Sequence, residues 1–212
     1  MTPQEASARA REICRAAPVV PVIVINRVAD AIPMAKALVA GGLPALEVTL
    51  RTPVALEAIK AMSTVAGGIV GAGTVVTPDD AATAKQAGAK FAVSPGSTAR
   101  LLSACEDIDL PMLPGAATAS EAMALLERGY DMLKFFPAEA SGGAAALKGI
   151  GAPLPQISFC PTGGVSSKNA PTYLGLPNVV CVGGSWVVPA DLVAAGDWNG
   201  ITALARAAAS LG

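Results

Sequence analysis

One lysine in this chain stands in a setting that lysines seldom occupy. In Met132-Leu133-Lys134-Phe135-Phe136-Pro137 it interrupts an apolar run that otherwise reads as a buried parallel strand. Lys36, Lys60, Lys85, Lys90, Lys148 and Lys168 all fall in helical or turn-like polar stretches. Lys134 is therefore the candidate for desolvation, which disfavours an ammonium and leaves a neutral amine able to attack a carbonyl. A plainer role stands beside that one: a lysine at a strand end can lie along apolar surface and reach water with its head. Glu47 is the carboxylate set inside an expected strand core, in Leu46-Glu47-Val48-Thr49-Leu50. Burial favours a carboxyl's protonated form and brings it towards the range of a general acid–base. Its plainer role is to neutralise Arg51 or Lys134 as a buried ion pair.

The chain contains no histidine, which removes the commonest metal ligand and the usual general base. Cys14, Cys105, Cys160 and Cys181 are far apart in sequence, form no Cys-x-x-Cys pair and read as reduced, structural thiols. Chemistry falls to amine, carboxylate or hydroxyl, and neither a metal nor a cofactor is expected. Formal net charge is -1 without a basic run, which argues against nucleic acid and for a small-molecule partner. No apolar run reaches the roughly 20 residues of a membrane span, and residues 1–17 form an amphipathic segment without a signal-peptide core, so a cytoplasmic protein is expected. With 52% hydrophobic and 15% charged residues, a subunit interface is expected as well.

The elements that must position these groups alternate regularly. After the leading helix (1–17) come strand Val19 to Ile25 and helix Asp30 to Ala40, then strand Leu46 to Leu50 and helix Pro53 to Val65. Strand Ile69 to Val76 precedes a helix capped by Thr77 with Pro78 at its first position. Further strands are expected at Phe91 to Val93, Met112 to Leu113, Met132 to Phe135, Ile157 to Cys160 and Val179 to Val182, each followed by a helix. Eight such units predict an α/β fold, a (β/α)8 TIM barrel with an extra N-terminal helix, as one domain over residues 1–212. A doubly wound open sheet is the alternative, although no dinucleotide-type glycine fingerprint follows the first strand. A barrel carries its site at the carboxyl ends of its strands and commonly binds phosphate after strands seven and eight. There the chain has Thr162-Gly163-Gly164 and Gly183-Gly184-Ser185, whose amides and hydroxyl suit an anion, while glycine doublets also serve tight turns.

Taken as an ordered set, Leu46-Glu47-Val48-Thr49-Leu50-Arg51-Thr52, Val70-Gly71-Ala72-Gly73-Thr74-Val75, Ser94-Pro95-Gly96, Lys134-Phe135-Phe136-Pro137-Ala138-Glu139, Cys160-Pro161-Thr162-Gly163-Gly164 and Val182-Gly183-Gly184-Ser185-Trp186 resemble the bacterial 2-keto-3-deoxy-6-phosphogluconate (KDPG) aldolases, which also act on 4-hydroxy-2-oxoglutarate (KHG). The resemblance covers nearly the whole chain. It implies a homotrimer of the Entner-Doudoroff pathway in which Lys134 forms a Schiff base and Glu47 moves protons. It also implies a keto-acid pocket lined by Arg51, Thr74 and Pro95, with Arg27, Phe135 and Thr162, and a phosphate site at Gly163, Gly164, Gly184 and Ser185. Two places depart from the pattern: Asn26 stands where some relatives carry a basic residue, and Gly115-Ala116-Ala117-Thr118 is less polar than the usual turn. The rival readings are a phosphate-binding isomerase or epimerase, which gives Lys134 no covalent task, and a non-catalytic sugar-phosphate sensor in which Glu47 and Lys134 are only an ion pair.

Overall fold

The computed structural model describes residues 1–211. Helix α1 (Pro3–Cys14) is followed by β1 (Val19–Ile23), α2 (Ala31–Ala40), β2 (Ala45–Thr49), α3 (Ala55–Met62), β3 (Ile69–Gly73), α4 (Pro78–Gln86), β4 (Ala92–Val93), α5 (Ala99–Asp107), β5 (Met112–Leu113), β6 (Gly115–Ala116) and α6 (Ala119–Arg128). The chain closes with β7 (Met132–Phe135), α7 (Gly143–Gly151), β8 (Ser158–Pro161), α8 (Ala170–Leu174), β9 (Val182–Gly184), α9 (Ala190–Ala195) and α10 (Trp198–Ala209). Every position of β1, β2 and β7 is buried, which is why these strands read as near-continuous apolar runs. Thr77 caps α4 in a capping box with Asp80, and Pro78 opens the helix, as the sequence predicts.

All strand pairs are parallel, but the expected closed eight-stranded barrel is not what forms. Six strands make a half-barrel in the order β5-β4-β3-β2-β1-β9, and a separate three-stranded sheet runs β6-β7-β8. Prolines account for the breaks, because proline has no N–H to give a ladder. The expected fifth strand forms as β5 and pairs with β4, but Pro114 separates it from a further short strand, β6, which pairs with β7 instead. Pro161 lies at the end of β8, where contact with the β9 segment is reduced to two isolated bridges, Phe159 to Val179 and Thr162 to Gly183.

Side chains alternate across each strand. One set packs outward against the helices in the main core, which includes Ile23, Leu46, Val48, Leu133 and Phe159. The other set points inward, where Val20, Ala45, Val93, Met132 and Cys160 meet Ala10 and Cys14 of α1. The leading helix therefore covers the inner face. It is tied down by Arg11, which donates to the Ser158 hydroxyl (2.6 Å) and forms an ion pair with Asp131 (2.8 Å), and by the Ser7 hydroxyl on Asp131 (2.7 Å).

Candidate active site

Lys134 and Glu47 both belong to the inward set, with Lys134 at the level of Cys160 of the apolar cluster. Glu47, in β2, lies level with Val22 of β1 and Gly71 of β3. Lys134, in β7, lies level with Gly115 of β6 and Cys160 of β8. Their side chains meet: Nζ donates to Glu47 Oε1 at 3.1 Å, with 6% and 3% of the two side chains exposed. Removing both charges from water costs several kcal/mol each, so close pairing is the condition for keeping them there. The Phe136 ring lies 5.3 Å from Nζ, a cation–π distance.

Glycines make the room. A Cβ on Gly73 would lie 2.4 Å from Glu47 Oε1, and one on Gly115 would lie 2.3 Å from the Pro95 carbonyl oxygen. Either substitution would move a group at the site, since real Cβ atoms do not approach so closely. Thr74, directly after β3, has φ of +59°, a left-handed conformation that is a genuine outlier for a β-branched residue and costs about 1–3 kcal/mol. Such strain concentrates at functional positions, and Thr74 sits one residue beyond the glycine that accommodates Glu47.

Arg51 is exposed and oriented by Thr49, whose hydroxyl accepts from Nε at 3.2 Å and donates to the Ile23 carbonyl at 2.9 Å; among the described residues it forms no ion pair. Thr162 is buried against Gly183, where a Cβ would come within 2.2 Å of its hydroxyl. Gly163 and Gly164 both have positive φ, +100° and +80°, which glycine alone adopts without strain. The Gly163 Cβ position lies 3.2 Å from Pro137 and 3.3 Å from the Phe136 ring, so this turn rests against the Lys134 segment. Asn169 holds it by donating to the Gly164 carbonyl (3.1 Å), and Glu139, bonded to the Tyr173 hydroxyl, fills the space beside Gly164. Gly184 is packed under the Trp186 ring, while Ser185 is exposed.

Arg27 is engaged in a bidentate pair with the buried Asp30, at 2.9 and 2.8 Å, and that hydrogen bonding raises the guanidinium's already high pKa. With Asn26 and Ser185 it lines a cavity of about 540 Å³ between the end of β1 and the turn after β9. Lys134 and Glu47 do not line this cavity, but Val22, level with Glu47, does. Phe135 is the residue placed differently from the expectation. It points outward, edge-on to Phe159 with ring centroids 6.4 Å apart, because neighbours along a strand face opposite sides. Phe136, not Phe135, is the aromatic beside the amine, and the same period-2 rule applied from an inward Lys134 identifies it. Asp30, Thr49 and Gly73 are not among the expected site residues. A buried carboxylate in a helical turn, a threonine and a glycine carry no local mark of the partners that the fold brings to them.

A parallel α/β protein with one buried, carboxylate-paired lysine at its strand ends and glycine turns beside it has the equipment of a lysine-dependent carbonyl enzyme. The chain matches the KDPG and KHG aldolase family over residues 10–204. It is 54% identical over 200 residues, 94% of each chain, to the 2-dehydro-3-deoxy-phosphogluconate aldolase of Dickeya dadantii. Among solved structures it is similar to the KDPG aldolase of Zymomonas mobilis ZM4 with 3-phosphoglycerate, at TM-score 0.92, 50% identity and 97% of each chain. It is similar also to that of Legionella pneumophila, with pyruvate captured as a covalent carbinolamine, at TM-score 0.91 and 50% identity over 94% and 98% of the two chains. The chain belongs to the KDPG and KHG aldolase family.

Proposed function

We propose that this protein is a class I aldolase that cleaves KDPG to pyruvate and glyceraldehyde 3-phosphate and also acts on KHG. The observation that carries the mechanism is the buried 3.1 Å contact between Lys134 and Glu47. With substrate bound, the Lys134 amine adds to the C2 carbonyl and water is lost, leaving a protonated imine. Glu47 takes the proton of the C4 hydroxyl as the C3–C4 bond breaks. The bonding pair moves into the imine to form an enamine, and the aldehyde departs. Glu47 then returns a proton to C3, and hydrolysis of the imine releases pyruvate and restores the amine. A carboxylate within reach of the amine is within reach of atoms bonded next to it, so one group can serve both transfers. The carbinolamine of pyruvate in the Legionella pneumophila relative supports a covalent route through a lysine.

Arg51, Thr74 and Pro95 border the keto-acid end, with Phe136 against the amine. The turns at Gly163, Gly164, Gly184 and Ser185 receive the phosphate, and Arg27 faces the same cavity as Ser185. An isomerase or a sensor would leave the amine without a covalent partner, and neither reading is favoured by the relatives. The 3-phosphoglycerate in the Zymomonas mobilis structure supports a phosphorylated substrate. A homotrimer in the cytoplasm completes the proposal; exposed Val24, Ile32, Val76 and Met123 supply apolar surface for assembly. Borohydride reduction with pyruvate, followed by mass spectrometry, tests the central step. One keto-acid adduct per chain on Lys134 is expected, and an adduct on a surface lysine instead would overturn it.

A further inference from the structure

Three of the four cysteines, none of which the reaction uses, come together. The Sγ atoms of Cys14, Cys160 and Cys181 all lie within 4.8 Å of one another and are buried. Nothing in the sequence announces this, since Cys14 ends α1 while Cys160 and Cys181 come from β8 and the residue before β9. They share the inward apolar cluster with Val20 and Met132. Three thiols packed as small hydrophobes would suffice as an explanation if they were scattered, but here they converge on one point from three chain segments.

We propose that Cys14, Cys160 and Cys181 form a binding site for one soft, thiophilic ion, copper(I), in three-sulfur coordination. A thiolate–metal bond is about 2.3 Å, which places three sulfurs in a planar trigonal arrangement about 4.0 Å apart. The observed limit of 4.8 Å needs only a slight contraction. Zinc fits poorly, because its structural sites are four-coordinate and tetrahedral. The chain has no histidine, and the nearby inward carboxylate, Glu47, is engaged by Lys134. Thiolate ligands suit soft ions, copper(I) among them, and a set limited to three sulfurs favours copper(I) over tetrahedral zinc. Each coordinating thiol releases its proton to the buffer as its bond to copper forms, and no electron is transferred.

The ion would bind α1 to β8 and β9, so its signature is mechanical as well as chemical. The reduced protein is titrated anaerobically with copper(I) against a coloured copper(I) chelator, and melting is followed on the same samples. One copper per chain withheld from the chelator and an upward shift in melting temperature are expected. X-ray absorption should show a sulfur-only shell of three. Cys14→Ala and Cys181→Ala should each lose the withheld copper and the shift. Cys105→Ala should keep both, since Cys105 lies in α5 away from the cluster, its thiol pushed up to about 12 by burial. Comparison of each variant's metal-free melting with wild type separates loss of the site from loss of the fold. Copper withheld equally by wild type and a folded Cys14→Ala or Cys181→Ala protein would overturn the site, as would no copper withheld by wild type.

Discussion

Replacing Glu47 by glutamine separates a proton carrier from a mere counter-ion. The shape is kept, and a charge 3.1 Å from Lys134 Nζ is removed. At an effective dielectric of about 20 the lost attraction is about 5 kcal/mol. An ordinary lysine sheds its proton at pH 7 for about 4.6 kcal/mol, which caps the loss, and breaking a buried pair costs about 3–5 kcal/mol. For a chain of this length, about 2–4 °C of melting temperature per kcal/mol gives a fall of roughly 6–20 °C. The fall alone does not distinguish the two roles, because both remove the counter-ion. Solvent exchange of the pyruvate methyl protons does. An amine freed of its counter-ion still forms imine with pyruvate, and borohydride should still trap it. Exchange and turnover should drop by about 10²–10⁴ if Glu47 transfers the proton. Near-normal exchange per folded molecule in a protein with a lowered melting temperature would refute the catalytic role of Glu47.

Three further outcomes follow from individual contacts. Gly73→Ala places a Cβ where Glu47 Oε1 now lies, 2.4 Å away; displacement of the carboxylate should cut methyl-proton exchange by about 10², and wild-type exchange would show that Gly73 does not position it. Ser185→Ala should raise KM for phosphorylated substrate about tenfold, the worth of a charge-assisted hydrogen bond of about 1.5 kcal/mol, and should leave pyruvate exchange unchanged. Equal loss on both would remove Ser185 from the phosphate site. Asp131→Asn tests the fastening of α1. Burial raises the Asp131 carboxyl, but hydrogen bonds from Ser7 and Arg11 outweigh it and hold the pKa below the usual carboxylate range. A depressed carboxyl stabilises the fold above its unfolded pKa, near 4, and that stability is lost as pH falls through the folded value. The variant should therefore be about 1 kcal/mol less stable at pH 7, given how open the pair is to solvent, and the difference should close below about pH 4; a gap independent of pH would exclude this linkage.

The order of most strands and helices, the cap at Thr77, and the two charged residues that meet in the interior were legible in the sequence because each leaves a local trace. A lysine in Met132–Phe135 and a glutamate in Ala45–Thr49 contradict their own apolar surroundings, and burying a charge is too costly to be incidental. Resemblance across the chain then supplied the reaction. What only the tertiary structure decided concerns partners far apart in sequence. Lys134 and Glu47 are 87 residues apart, and their contact depends on the register of two sheets. The expected closed barrel gave way to six and three strands because Pro114 and Pro161 interrupt the ladders, an effect that strand counting overlooks. Arg27 was legible as a cation but not as the partner of a buried Asp30. Phe135 and Phe136 are equivalent in composition, and the pleat sends one into the core and the other to the amine. Cys14, Cys160 and Cys181, read as scattered thiols, converge because α1 closes the inner face. Composition and spacing report what a residue costs to bury; three-dimensional packing determines which other residues share that cost.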